Sequence, residues 1–233
     1  MENLKTNLLM LLRGLGQIML QGNAATGLLF VLGIAIHSVR LACAAIVGAA
    51  IGTVWAKICK YPTLSISAGL YGFNSALVAI AVTYFYSPTT LLLGLLLCGS
   101  IFATVIMHLM QIYQLKPYTF PFVFTLWLIF AVIPQQVIDL PCVILDVSLV
   151  DGVLQGFGQV MFQANSWTGL IFIVAILINN AKHALWAVFA ATLGMLVALL
   201  FHWSNAEIIA GMYSYNAVLA ALAALLITPQ KWL

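Results

Sequence analysis

The polar residues that recur in this chain are suited to hydrogen bonding rather than to catalysis. Gln17 and Gln159 each follow a Gly-x-Gly segment, and Asn23 and Asn165 come six positions later. Each amide offers two N–H donors and a carbonyl acceptor. In apolar surroundings these groups need partners, which are either backbone groups freed by broken helices or a polar solute. Both interpretations fit the pattern, and the asparagines fit a structural role better than the glutamines do.

Aromatic and aliphatic residues recur in the same way. The segment GLYGFN at 69–74 returns as GMYSYN at 211–216, and its offset of 142 positions is also the offset between the two glutamines. Two signatures that share one offset indicate internal duplication, which in membrane proteins places a pathway between the halves. Paired rings could form a slot for a flat, uncharged molecule, although packed core aromatics are common. The equivalent pairs are Phe73 with Tyr215 and Leu77 with Leu219.

Residue sets that carry out catalysis are missing from the sequence. It has no HExxH motif, no Gly-x-Ser-x-Gly motif and no pair of carboxylates within one apolar segment, and its four histidines do not recur at the 142 offset. We therefore predict that the chain is not an enzyme and has no catalytic residues, metal site or cofactor. Without a cluster of basic residues, nucleic acid is not an expected partner.

Composition places the chain in a lipid bilayer. Of its 233 residues, 64% are hydrophobic and 6% are charged, and the mean hydropathy is +1.14. A soluble domain carries about 25% charged residues. Ion paths and proton-coupled carriers need charged or titratable groups within the membrane, and the recurring segments have almost none. This favours passive conduction of a small, neutral, polar solute by an integral membrane protein.

The elements that position these residues are predicted to be helices. We expect an all-α integral membrane protein with two inverted homologous repeats, at residues 1–134 and 150–233, joined by a linker at 135–149. An odd number of spans per half would invert the second half. Short apolar runs interrupted by Gly and Pro indicate re-entrant half-helices, which are tolerated where they are buried or line a cavity. The counterpart of the segment around Thr119 would fall near position 261, so the second repeat is expected to be incomplete.

Three motifs together resemble the urea transporter family, in its form as a bacterial urea channel. They are RGxxQ at 13–17, GLYGFN at 69–74 and LxPYTxPF at 115–122. The resemblance implies two inverted halves, each with five spanning helices and a re-entrant half-helix. It also implies a homotrimer with a pore in every protomer, and we expect this trimer in the bacterial inner membrane.

The resemblance also implies which residues line the pore. The mouths and aromatic slots would be formed by Gln17, Ile18, Leu20, Phe73 and Leu77 in the first repeat and by Gln159, Val160, Phe162, Tyr215 and Leu219 in the second. Thr119 matches a central threonine constriction. Leu20 stands where the family has an aromatic residue, and Tyr215 stands where it has phenylalanine.

The function that follows is passive movement of urea, or of a similar small neutral solute, down its gradient. A channel for ammonia or other small amides is an alternative from the same class. A non-conducting structural subunit of a membrane complex is an alternative from a different class.

Overall fold

The computed structural model describes residues 2–135 and 148–227, and every regular element in these ranges is a helix. The prediction of an all-α membrane protein is therefore confirmed at the level of fold class. The chain divides into two compact units, Met1–Asp139 and Leu140–Leu233, and each is described separately. Most of the predicted linker, residues 136–147, lies outside the described residues.

Unit 1 is built around a short, buried helix. Its helices are α1 (Glu2–Gln17), α2 (Ala24–His37), α3 (Val39–Ile58), α4 (Thr63–Ser67), α5 (Phe73–Phe85), α6 (Thr90–Ile112) and α7 (Phe120–Val132). The buried helix is α5, which packs against α1, α3, α6 and α7. Every residue of α5 from Phe73 to Thr83 is buried, so the core of this unit lies along α5.

Polar side chains set where several helices of unit 1 begin. The side chain of Asn23 accepts a hydrogen bond from Ala25 N at 2.8 Å, and that of Ser38 accepts one from Leu41 N at 3.3 Å. Such caps satisfy backbone N–H groups that have no partner inside a helix. Pro121 lies in the first turn of α7, where its missing N–H costs nothing. The structural interpretation of Asn23 agrees with this geometry.

Unit 2 contains the remaining helices. They are α8 (Leu149–Gln159), α9 (Ser166–Asn179), α10 (Ala181–Leu200), α11 (Asn205–Ile209) and α12 (Tyr215–Ile227). Asn165 caps α9 through Thr168 N at 3.0 Å, and Asn180 caps α10. The bounds of α9 to α12 lie 142 positions after those of α2 to α5.

Three helices among the described residues are long and apolar enough to cross a membrane, namely α3, α6 and α10. With about 1.5 Å of rise per residue, the 20 residues of α3 span roughly 30 Å, the thickness of the hydrocarbon core. The apolar helices α5 and α7 have 13 residues each, or roughly 20 Å. These two helices are therefore too short to span the core alone.

The apolar run at residues 64–86 is broken in the structure. It forms α4 and α5, with a turn between them at residues 68–72. Gly69 in this turn has a φ of +78°, a left-handed conformation that glycine adopts without steric cost. Unit 2 has the same break between α11 and α12, where the φ of Gly211 is +74°.

Candidate functional site

In unit 1 the last two turns of α1 hold the end of α4. Arg13 and Gln17 lie four residues apart and so share one face of α1. Arg13 Nη1 donates to Ser67 O at 3.1 Å, and Gln17 Nε2 donates to Ala68 O at 3.3 Å. These carbonyls stand at the C-terminal end of a short helix, where a cation is favourable. One donor of Gln17 therefore has the structural role that the sequence left open.

The backbones of α1 and the broken helix touch at two glycines. A Cβ atom on Gly69 would lie 2.3 Å from Gly14 N, and its φ already excludes most side chains. Unit 2 repeats this approach, since a Cβ on Gly211 would lie 2.2 Å from Gly156 N. The two Gly positions of each signature thus place the glutamine-bearing helix directly against the turn that precedes Phe73 or Tyr215.

A tight turn closes α1 and α8 in the same way. Leu20 and Phe162 have left-handed φ values of 59° and 60°, and Gln21 N and Gln163 N each donate to the oxygen of the glycine five residues earlier, at 3.0 Å. This is the geometry of a helix C-cap that usually employs glycine. A non-glycine residue there costs about 1–2 kcal/mol, which other interactions of the turn must offset.

Two buried glutamines stabilise these turns, and neither was predicted from the sequence. Gln21 Nε2 donates to Met19 O at 2.9 Å, and Gln163 Nε2 donates to Met161 O at 2.7 Å. Both side chains have no exposed surface. The signal was present, because the two glutamines are separated by the same 142 positions as Gln17 and Gln159.

Asn74 determines the position of Thr119. Its Nδ2 donates to Tyr118 O at 3.1 Å, and its Oδ1 accepts from Phe122 N at 3.2 Å, so one buried amide binds the chain on both sides of the threonine. Thr119 itself caps the start of α7, and its carbonyl accepts from Val123 N at 3.1 Å. Within the described residues the Thr119 hydroxyl has no hydrogen bond. The residue is partly exposed.

Three of the residues predicted to line the path in unit 1 are buried, whereas Gln17 and Leu20 are partly exposed. Phe73 and Leu77 lie one turn apart on α5, with exposed fractions of 3% and 1%, and Ile18 is equally buried. In unit 2, Val160 is buried, whereas Phe162, Tyr215 and Leu219 are partly exposed. The side chain of Gln159 has no hydrogen bond within the described residues, unlike that of Gln17.

Charged side chains near the broken helices are few. In unit 2 the hydroxyl of Tyr213 donates to the carboxylate of Glu207, and the hydroxyl of Ser166 donates to that of Asp151. Within residues 2–135 and 148–227, no three His, Cys, Asp or Glu side chains are grouped so as to hold a metal ion. Apart from Arg13 at the end of α4 and Glu207 on α11, the groups at the broken helices are amides, hydroxyls and apolar side chains, which are suited to a neutral polar molecule.

Apolar membrane-length helices combined with broken half-helices define a polytopic integral membrane protein with features of a transporter or channel. The chain belongs to the urea transporter family, because the family model described as urea transporter matches residues 8–232. The resemblance drawn from the three motifs is thereby confirmed. The family that the model describes is one of urea transporters.

Curated relatives support the same family. The chain is 25% identical to urea transporter 1 of Rattus norvegicus, over 91% of this chain and 61% of the relative. It is 24% identical to urea transporter 1 of Mus musculus and 25% identical to that of Ovis aries, with the same coverage. The chain thus spans about three fifths of the length of these relatives.

Proposed function

We propose that this chain provides a passive path for urea across a membrane, down the gradient of urea. Family membership and the names of the relatives support the choice of solute. The observation that carries the proposal is the recurrence, 142 positions apart, of one local structure. In each unit a helix ends at a glutamine and is followed by a turn that contains a left-handed residue. The same helix contacts a left-handed glycine, which precedes α5 in unit 1 and α12 in unit 2.

The proposed path is formed by two inverted repeats, at residues 1–134 and 150–233, with a linker at 135–149. Matching helix lengths in α2 to α5 and α9 to α12 support the duplication. Further parts of this proposal are a homotrimer with one path per protomer and a location in the bacterial inner membrane.

The chemical requirement of such a path is to replace the hydration of urea. Removing hydrogen bonds to water without replacement costs several kcal/mol. The Thr119 hydroxyl and the Gln159 amide, which have no hydrogen bonds within the described residues, would offer donors and acceptors. Gln17 would contribute the N–H and the oxygen that its bond to Ala68 leaves over. Carbonyls at the broken helices would add further acceptors for the N–H groups of urea.

Selection against ions would come from the apolar residues. Ile18, Leu20, Phe73 and Leu77 in unit 1 and Val160, Phe162, Tyr215 and Leu219 in unit 2 would line slots that admit a flat molecule. Burial of an unpaired ion costs far more than burial of a neutral amide. Phe73 and Leu77 are four residues apart on α5 and so share one face of that helix, which would let both line the same slot.

Urea flux into proteoliposomes that contain the full chain tests the proposal. Thr119→Val keeps the side-chain shape but removes the hydroxyl, and loss of one hydrogen bond to a desolvated solute should slow flux about tenfold. The matched control is Thr192→Val on α10, because the Thr192 hydroxyl bonds Val188 O of its own helix at 2.9 Å. Equal flux through both variants would remove Thr119 from the path.

The same vesicles separate the alternative functions. Competition by acetamide or methylammonium, measured against labelled urea, would identify a channel for other amides or for ammonia. A stable oligomer with no urea flux would indicate a structural subunit instead.

A further inference from the structure

A polar pocket in unit 1 lies apart from the predicted pore residues. It opens between α4 and the C-terminal end of α6 and has a volume of about 430 Å³. The residues that line it are Pro62, Ser65, His108, Gln111, Ile112, Gln114 and Leu115. None of these side chains is an acid, a lysine or an arginine, so the pocket is suited to an uncharged ligand.

Hydrogen bonds at the base of the pocket favour one tautomer of His108. The hydroxyl of Tyr71 donates to Gln111 Oε1 at 2.7 Å, and the same hydroxyl oxygen lies 3.0 Å from His108 Nδ1. A hydroxyl has only one proton to donate. With the Gln111 amide oriented so that its Oε1 receives that proton, the Tyr71 oxygen is the acceptor toward His108, and Nδ1 carries the imidazole proton. The Nε2 atom of neutral His108 is then an acceptor with a free lone pair.

Two tyrosines hold the His108 ring in place. The ring of Tyr61 stacks on it with a centroid distance of 3.5 Å and an interplanar angle of 13°. Tyr71 is almost fully buried. Burial also raises the pKa of the Tyr61 hydroxyl, so this stacking partner stays neutral near pH 7. The imidazole therefore has one orientation before any ligand arrives, which reduces the entropy cost of binding.

The other polar groups of the pocket complement this acceptor. Because Gln111 Oε1 is bonded to Tyr71, the NH₂ group of Gln111 remains available as a donor. Gln114 adds a second amide, and Ser65 adds a hydroxyl that is hydrogen-bonded to Tyr71. His108 and Gln111 are three residues apart on α6 and both line the pocket, so this acceptor and this donor belong to one ligand space. An amide ligand carries the complementary pair, an N–H for the acceptor and a carbonyl for the donor.

We propose that this pocket binds a small neutral amide, with His108 Nε2 accepting an N–H from the ligand and the Gln111 amide donating to its carbonyl. Urea as the first probe rests on the proposed function, whereas the pocket itself does not require that the chain conducts. Acetamide, which carries the same donor and acceptor, is the second probe.

Nitrogen NMR of the full chain with labelled histidine, in detergent micelles, tests the proposal. We expect the His108 signals of the form protonated on Nδ1, and an Nε2 shift that saturates as urea or acetamide is added. The exposed His37 and His202 are internal controls, and their shifts should change linearly with solute. A form protonated on Nε2, or a linear response of His108 equal to that of the controls, would overturn the proposal.

A second variant tests the location of the site. Ile112→Trp should fill the pocket and abolish the saturable shift, because Ile112 lines it from an exposed position on α6. Leu109→Trp is the matched control, since Leu109 is exposed on the same helix and does not line the pocket. Retained saturation in Ile112→Trp would refute the site. Urea flux is measured separately, so loss of flux with intact His108 binding would contradict only the proposed pore.

Discussion

The turn before α5 in unit 1 and the turn before α12 in unit 2 have nearly the same backbone but different surroundings. Gly69 and Gly211 have φ values within a few degrees of each other, and each touches the glycine of a neighbouring helix. However, α5 is buried along most of its length, whereas only Val218 and Leu222 are buried in α12.

The difference arises from the helices that pack on each turn. In unit 1, α6 and α7 cover α5, and Asn74 bonds the chain around Thr119. In the described part of unit 2, α12 packs on α8 and α10, and the corresponding Asn216 is exposed. The turn is therefore a local structure determined by glycine, while the roles of its polar side chains depend on neighbouring elements.

The largest expected effect tests whether the turn is local in both units. Gly69→Ala and Gly211→Ala should each destabilise the protein by about 3 kcal/mol or more, since a Cβ there combines an unfavourable φ with a backbone clash. The measurement is the apparent melting temperature in detergent, followed by size-exclusion chromatography.

Gly94→Ala on α6 is the control, because a Cβ at Gly94 meets nothing within 4 Å. Its melting temperature should stay the same or rise slightly, as alanine favours helices. A tolerated alanine at either Gly69 or Gly211 would show that the two turns are not equivalent.

A second pair of variants, with an intermediate expected effect on stability, tests whether the surroundings of the two turns differ. Asn74→Ala should cost about 2–4 kcal/mol, because it leaves both Tyr118 O and Phe122 N without their buried partner. Asn216→Ala should change stability by no more than about 0.5 kcal/mol, as surface substitutions do. Thermal unfolding of both variants checks the difference, and equal costs would mean that α12 is enclosed as α5 is.

Whether a feature of the fold or of the candidate site could be predicted from the sequence depends on whether its cause is local. The structural role favoured for Asn23 and Asn165 and the interrupted apolar runs have local causes, and the structure contains caps at both asparagines and breaks in the runs. The family was predicted from three short motifs and is confirmed by a match to almost the whole chain. Pore-lining roles for Gln17, Phe73 and their counterparts stay predictions.

Features that depend on distant contacts could not be predicted in this way. The roles of Asn74 and Tyr71 require knowledge of which helix packs beside them, 44 and 37 residues further along the chain. Gln17 was ambiguous for the same reason, because its partner Ala68 lies 51 residues away. Periodicity shows which face of a helix is buried but does not identify the element that buries it.

The smallest expected effect concerns Arg13, the cation at the end of α4 in unit 1, which has no charged counterpart in unit 2. Arg13 bonds Ser67 O, whereas the corresponding Gln155 bonds Ser166 Oγ at 3.5 Å. Arg13→Gln should therefore cost about 1–2 kcal/mol through the lost charge-assisted bond and helix-end interaction. Lys5→Gln, at an exposed position on α1, controls for the loss of one positive charge and should leave stability unchanged.

Because Gln17 also bonds the end of α4, the turn should survive in Arg13→Gln with reduced stability. An Arg13→Gln variant as stable as Lys5→Gln would show that Gln17 and the contact between Gly14 and Gly69 hold the end of α4 without the cation. In unit 2 the corresponding contact is between Gly156 and Gly211.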